Sequence, residues 1–386
     1  MKSFVTVFFC ILIQISFSQP PKFSPEKISQ KKFLDSVKIS RNFGLISIPC
    51  IVGINSIDFL FDSGADMMVH ADSLIRTNVR IKVSENNAAK KYYMGIIKEI
   101  SISSVGFENI KTISTTLPKP FTCIADGVLG NNIISKCNWW IKDSNLLISN
   151  KSFKARGIKP LKFRYASFFR IFSDIKINSI PLDSCLIDYG GRYEIQLPLD
   201  KLKDFKDKPS NFFVKKLSST WTLNGKSSID TVYLLNCNVE FCGHRLDSVN
   251  FEFSRSRREK RIGALLLNRF SSTILNGKSR QIYFISLAKT RPAQSLPAPI
   301  SFDLENEHFV IDGKLISEGT QKVSVLEEFD SINGKSPSDF RTYCDFLVWQ
   351  RYLRATSQFI LRSKFGEVSI GNWLKTGSYL KNTDKQ

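Results

Sequence analysis

The chain predicts a mainly β protein, built as two related β lobes followed by a small α+β unit. Three observations carry that expectation. Short runs rich in Ile, Val, Phe and Thr follow one another closely, among them Leu45 to Ile51, Ile57 to Phe61, Ile97 to Ile102, Ile110 to Ser114 and Leu146 to Ser149. Asn, Gly, Ser or Pro separate them, as expected of strands joined by turns. Helical periodicity is scarce, with Asp72 to Arg76 long enough for one turn. The order of features in the first half also returns, more weakly, in the second, which points to an internal repeat.

Taken in order, the 386 residues suggest two or three domains. Residues 1–18 read as a secretory signal: Lys2 gives a positive start, Phe4 to Ile15 an apolar middle, and Ser16-Phe17-Ser18 a small-x-small exit. Export to a periplasmic or extracellular space is the expectation. The apolar run is too short, and too soon broken by Gln14, for a membrane span, and no later run reaches the required length. Residues 19–40, rich in Pro, Ser and Lys, read as a tether. The first lobe is expected over 41–155 and the second over 156–288. A linker with Pro292, Pro297 and Pro299 covers 289–299, the small unit 300–375 and a tail 376–386.

The formal charge of +20 is spread along the chain, and only Arg255 to Arg261 forms a run. A solvated basic surface accounts for it; no helix-turn-helix, zinc finger or aromatic RNA motif is present, so no nucleic acid partner is expected. Removal of the signal leaves an odd number of cysteines, hence at least one thiol. Cys50, Cys123 and Cys185 lie in apolar surroundings and read as buried thiols, with at most one or two bridges in the protein. Cys237, Cys242 and His244 do not have zinc-ribbon spacing. No metal and no cofactor is expected.

The residues that carry chemistry are Phe61-Asp62-Ser63-Gly64-Ala65-Asp66, behind the apolar run Ile54 to Leu60 and ahead of Met67-Met68-Val69. A carboxylate at the end of a buried strand is followed by a small hydroxyl, which can fix a loop by local hydrogen bonding, and by a glycine that permits the turn. A carboxylate so placed beside a second one shares a single proton with it, and the pair serves as base and acid in turn. The segment resembles the active-site loop of retropepsin-like aspartic proteases, Asp-Thr/Ser-Gly-Ala-Asp/Asn followed by hydrophobic residues. Asp126-Gly127-Val128-Leu129-Gly130-Asn131 is similar to that family's hydrophobic-hydrophobic-Gly element. The resemblance implies that Asp62 is catalytic, that Ser63 and Gly64 support the loop, that Asp66 helps hold substrate backbone, and that Gly130 lets the chain pack under the loop.

In the second half, Leu186-Ile187 lead into Asp188-Tyr189-Gly190-Gly191, and Ile262-Gly263-Ala264-Leu265-Leu266-Leu267-Asn268 takes the place of the glycine-containing element. Trp139-Trp140-Ile141 with Leu146-Leu147-Ile148 is echoed by Thr273-Ile274-Leu275 with Ile282-Tyr283-Phe284. Two such lobes, each giving one Asp, resemble the pepsin arrangement, with acid-protease-type lobes related by a pseudo-twofold. Asp188 would then be the second catalytic carboxylate and Gly190 its loop support. The copy departs from the pattern: Tyr189 replaces the small hydroxyl, and Leu266 falls where a terminal glycine is expected, although Gly263 keeps the earlier one. Asp188 therefore reads either as the partner carboxylate or as part of an ordinary turn.

A flap over the cleft is expected in Ala88 to Ile96, with Tyr92, Tyr93 and Met94 facing substrate and Gly95 permitting the turn; a plain strand with one buried face is the alternative. Three functional readings follow: an exported endopeptidase acting on peptide or protein, a homodimer pairing Asp62 from two chains, and a peptide-binding shell without catalysis. Beyond the linker, Val323 to Lys335, ending in Ile332-Asn333-Gly334, resembles the core strand of PDZ domains. A helix is expected over Ser338 to Trp349 and a hairpin from Gln358 to Arg362 and Gly366 to Ile370. Such a unit would bind peptides by adding a strand to its edge, or else cover the lobes.

Overall fold

The computed structural model describes residues 25–66, 68–70, 75–85, 88–166, 169–205, 212–218, 221–222, 225–226, 229–288, 299–316, 320–353 and 358–371. The protein is mainly β, and the described strands form three large sheets and two small ones. In the first half, Leu45–Val52 and Asn55–Phe61 make an antiparallel hairpin, from Ser47 opposite Leu60 to Val52 opposite Asn55. Asn55–Phe61 is exposed at its start and fully buried over Phe59, Leu60 and Phe61. There it lies between Leu45–Val52 and the parallel strand Gly127–Leu129, with Leu129 opposite Phe61. A strand covered on both faces needs a continuous apolar run rather than an alternation, and Phe59-Leu60-Phe61 supplies it. Gly127 is obligatory here: a Cβ would stand 2.6 Å from Phe59 Cδ1 and 2.8 Å from the Val69 carbonyl.

The second half repeats this arrangement. Ile171–Ile177 and Ile180–Asp188 form a hairpin whose loop residues, Asn178 and Ser179, both have positive φ, as a two-residue hairpin turn demands. Ile180–Asp188 ends in the buried run Cys185 to Asp188 and pairs in parallel with Arg261–Gly263. Each short parallel strand leads into a four-residue helix, Asn131–Ile134 behind Gly130 and Ala264–Leu267 behind Gly263.

A six-stranded sheet joins the halves. Asn138–Ile141 runs antiparallel to Phe270–Asn276, with Trp139 opposite Leu275 and Ile141 opposite Thr273, so two segments that echo each other in sequence are bonded to each other. One hydrophobic core passes through both halves and contains Ile46, Phe61, Trp139, Ile187, Tyr189 and Phe284. Part of the expected tether belongs to this body. Lys27–Ile28 pairs with Val105–Ser114, and Leu34–Lys38 forms the outer strand against Asn145–Ser149. Ile28, Phe33, Val37 and Ile39 pack on the core, which outweighs the Lys- and Ser-rich composition around them. Ile75 and Arg76, expected in a helical turn, begin the strand Ile75–Glu85.

The C-terminal unit is not separate from the sheets. The hairpin Ile300–Glu305 and His308–Leu315 enters the eleven-stranded sheet of the second half through Phe212–Ser218, with Lys216 opposite Leu315. Its helix spans Tyr343–Leu353, starting later than expected because the backbone N–H of Thr342 bonds Asp345 and the N–H of Asp345 bonds the Thr342 hydroxyl, a reciprocal cap. Gln358–Ser363 and Gly366–Gly371 form the expected hairpin, and Phe302, Phe309, Phe346 and Phe359 share a second core. Cys123 is not an inert thiol: it forms a disulfide with Cys344, tying the first half to the start of that helix. No described helix is long and apolar enough to cross a membrane. The expected signal, residues 289–298 of the linker and the tail lie outside the described residues.

Candidate active site

The two strands that end in Asp bring their loops face to face. Asp62 Oδ1 accepts the N–H groups of Gly64 at 2.7 Å and Ala65 at 3.0 Å. Asp188 Oδ1 accepts the N–H of Gly190 at 3.1 Å. Each carboxyl lies over the other loop's glycine. A Cβ on Gly64 would stand 2.5 Å from Asp188 Oδ1, and one on Gly190 would fall within the carboxyl of Asp62. The Asp188 charge acts on the Asp62 carboxyl across this approach. Both glycines are therefore required by close approach. Burial, and then the Asp188 charge, push the Asp62 carboxyl well above the ordinary carboxylate range.

Ser63, completely buried, clamps the loops: its hydroxyl donates to the Ile187 carbonyl at 2.6 Å and accepts the Tyr189 N–H at 3.0 Å. Tyr189 has no oxygen at the β position and returns no equivalent bond, so the clamp is one-sided. Its ring instead turns into the core, 5.6 Å from that of Phe61 and nearly perpendicular to it. The main-chain pattern around the loops is shared: Asn131 N–H bonds the Ala65 carbonyl at 2.9 Å, and Ala264 N–H bonds the Gly191 carbonyl at 2.8 Å. Asn131 adds a side-chain bond to the Ser63 carbonyl at 2.5 Å, which Ala264 cannot match.

This correspondence corrects the frame read from the sequence. Gly263 is the counterpart of Gly130, since both precede the short helices in extended conformation and adjoin the Asp strands. The terminal glycine is present in the second half, and Leu266 is a buried helical residue rather than its replacement. In the first half Gly127 packs closely against Phe59 and Val69, and Gly130 is buried at the head of the short helix.

Of the residues expected to meet substrate, Asp66 lies on the Asp62 loop and Tyr93, Met94 and Gly95 on the strand Ala88–Ile102. Asp66 forms an ion pair with Arg170 at 3.2 Å, and Arg170 continues to Glu259 at 3.0 Å. Gly95 makes no turn: it lies inside the strand Ala88–Ile102, opposite Arg76 and Thr112. In that hairpin Glu85 pairs with Ala88, and residues 86–87 lie outside the described residues. Tyr92 and Met94 are buried, whereas Tyr93 is exposed and its hydroxyl accepts a bond from Arg80 at 2.9 Å. The pattern is that of a strand with one buried face. A depression lined by Lys162, Phe163, Arg164, Phe172 and Asp174 includes neither catalytic candidate.

Sequence reasoning passed over Tyr193, whose hydroxyl donates to Asp188 Oδ2. Its signal was its position, directly after Gly190-Gly191-Arg192 in the suspect loop. Arg170, Asn131 and Gly127 gave no comparable signal. No family model matches the chain, and no curated protein matches it in sequence.

Proposed function

We propose that this chain is an exported aspartic-type endopeptidase with a one-chain active centre formed by Asp62 and Asp188. The observation that carries the reading is the placement of the two carboxyls, each lying over the other's loop glycine, with the Asp188 charge felt at Asp62. Like charges so close cannot both ionise, so the pair shares one proton. The ionised carboxylate takes a proton from water as the water oxygen bonds to the scissile carbonyl carbon, and the protonated carboxyl gives its proton to the carbonyl oxygen. In the second step the proton taken from water passes to the amide nitrogen, the C–N bond breaks, and a diol hydroxyl returns a proton to the pair.

The retropepsin- and pepsin-like reading of the lobes is supported by the repeated strand, loop, parallel strand and short helix, and by the sheet that joins the halves. Pairing of Asp62 from two chains gains no support from this geometry, in which Asp188 of the same chain lies over the Asp62 loop. The grounds for a non-catalytic shell also weaken, since Tyr189 packs against Phe61 and Leu266 lies in a helix. Export is supported by the Cys123–Cys344 bridge, which suits an oxidising compartment.

We read the PDZ-like unit as a cover rather than a peptide receptor. Gln350 donates to the Phe302 carbonyl on the edge strand Ile300–Glu305, engaging a main-chain group on that edge.

The test is peptide cleavage by the purified exported chain. Asp62→Asn and Asp188→Asn should each lower kcat by about 10²–10⁴-fold, and a statine-type inhibitor should block the unmodified chain. Loss with Asp62→Asn alone would favour the dimer; loss with neither would refute the catalytic reading.

A further inference from the structure

The two members of the pair are held differently. On Asp62, both loop donors fall on Oδ1. On Asp188, Gly190 N–H takes Oδ1 and the Tyr193 hydroxyl takes Oδ2. The residue at the same distance after Asp62 is Met67, which has no hydroxyl to offer. Tyr193 is fixed from several sides. A Cβ on Gly263 would stand 2.5 Å from its Cδ2 and 2.7 Å from its Cε2. Its N–H bonds the Gly191 carbonyl at 3.0 Å, and its carbonyl accepts the Leu265 N–H at 3.1 Å. The ring lies against Gly191 as well, where a Cβ would overlap its Cε1.

Charge around the site favours the same side. Arg261, on the strand Arg261–Gly263, and Arg257, just before it, both act on Asp188 and Tyr193. Arg261 is shared with Glu259 at 2.8 Å, Arg257 also feels Glu252, and Asp62 faces the group from the opposite loop. Burial, and then the Asp188 charge, raise the Tyr193 phenol well above its ordinary range, so it remains a donor.

We propose that Tyr193 is a positioning residue that gives the pair its polarity, holding Asp188 as the ionised member and leaving the shared proton on Asp62. This rests on the peptidase reading above. Asp188 is then the base that takes the proton of water, and Asp62 is the acid that protonates the scissile carbonyl oxygen.

The first test needs no catalysis: ¹³C NMR of the Asp carboxyls in the full chain, with the Asp62 signal identified by its loss in Asp62→Asn. At a pH where the pair holds one proton, Asp62 should resonate at the protonated position. In Tyr193→Phe the proton redistributes, and that signal should move toward the ionised position. An ionised Asp62 in the unmodified chain, which requires no variant at 193, overturns the proposal, as does a signal unmoved by Tyr193→Phe. The second readout is the pH profile of kcat/KM. Losing a hydrogen bond to the charged form should move the acid limb of Tyr193→Phe upward by about one pH unit, a ten-fold change in the ionisation equilibrium; an unmoved limb contradicts the proposal. A chain that cleaves no peptide defeats the peptidase reading, while the carboxyl spectrum still decides the polarity.

Discussion

At the scale of single residues, the site depends on groups that are costly to bury. Asp62 binds its proton more tightly in the folded chain than in the unfolded one, through burial and the neighbouring Asp188 charge. Its contribution to stability is therefore fully present below the ordinary carboxylate range and is lost as pH rises through the elevated folded value. Asn at position 62 keeps an oxygen for the Gly64 and Ala65 N–H groups but cannot ionise. Thermal melts should find Asp62→Asn more stable than the unmodified chain at neutral pH, with the difference shrinking as pH falls toward about 4. A difference that is constant with pH, or reversed, would contradict this. The loop of Asp62 was legible in the sequence because its requirements are local: an apolar strand, a hydroxyl and a glycine. Tyr193 was legible only as a position, and Arg170 not at all, because its partner Asp66 lies on the far side of the first half in sequence.

At the scale of elements, the order of strands was readable and their edges were not. Composition made residues 19–40 look like a tether, yet a few spaced apolar side chains suffice to dock Lys27–Ile28 and Leu34–Lys38. The aliphatic run Ile262 to Leu267 contains one glycine and fits the repeat in two frames; only the parallel pairing of Asp188 with Gly263 selects between them. The junction of the C-terminal unit was equally hidden, because a bridge between residues 221 apart leaves no local trace. That bridge seats the helix Tyr343–Leu353 against the first half, where the Arg351 guanidinium lies 4.0 Å from the ring centre of Phe43. Cys344→Ser should lower the stability of the oxidised chain by about 2–4 kcal/mol, measured by urea denaturation, and reductant should remove the difference between variant and parent. Equal stability without reductant would mean that the bridge does not form.

At the scale of the whole molecule, the fold turns a repeated β arrangement into one site. Two strands end in Asp, a sheet shared by the halves fixes their relative position, and Ser63 locks the loops from one side only. The Phe43 ring also lies 5.5 Å from the Arg192 guanidinium, four residues past Asp188, so the C-terminal unit and the second loop meet at one aromatic side chain. Every part of the proposed centre thus comes from a single chain. The most direct measurement is titration of the purified chain with a tight-binding statine-type inhibitor, with the mass in solution determined on the same sample. The account predicts one inhibitor bound per monomeric chain, and none bound by Asp188→Asn. One inhibitor per two chains, with binding retained in Asp188→Asn, would contradict it.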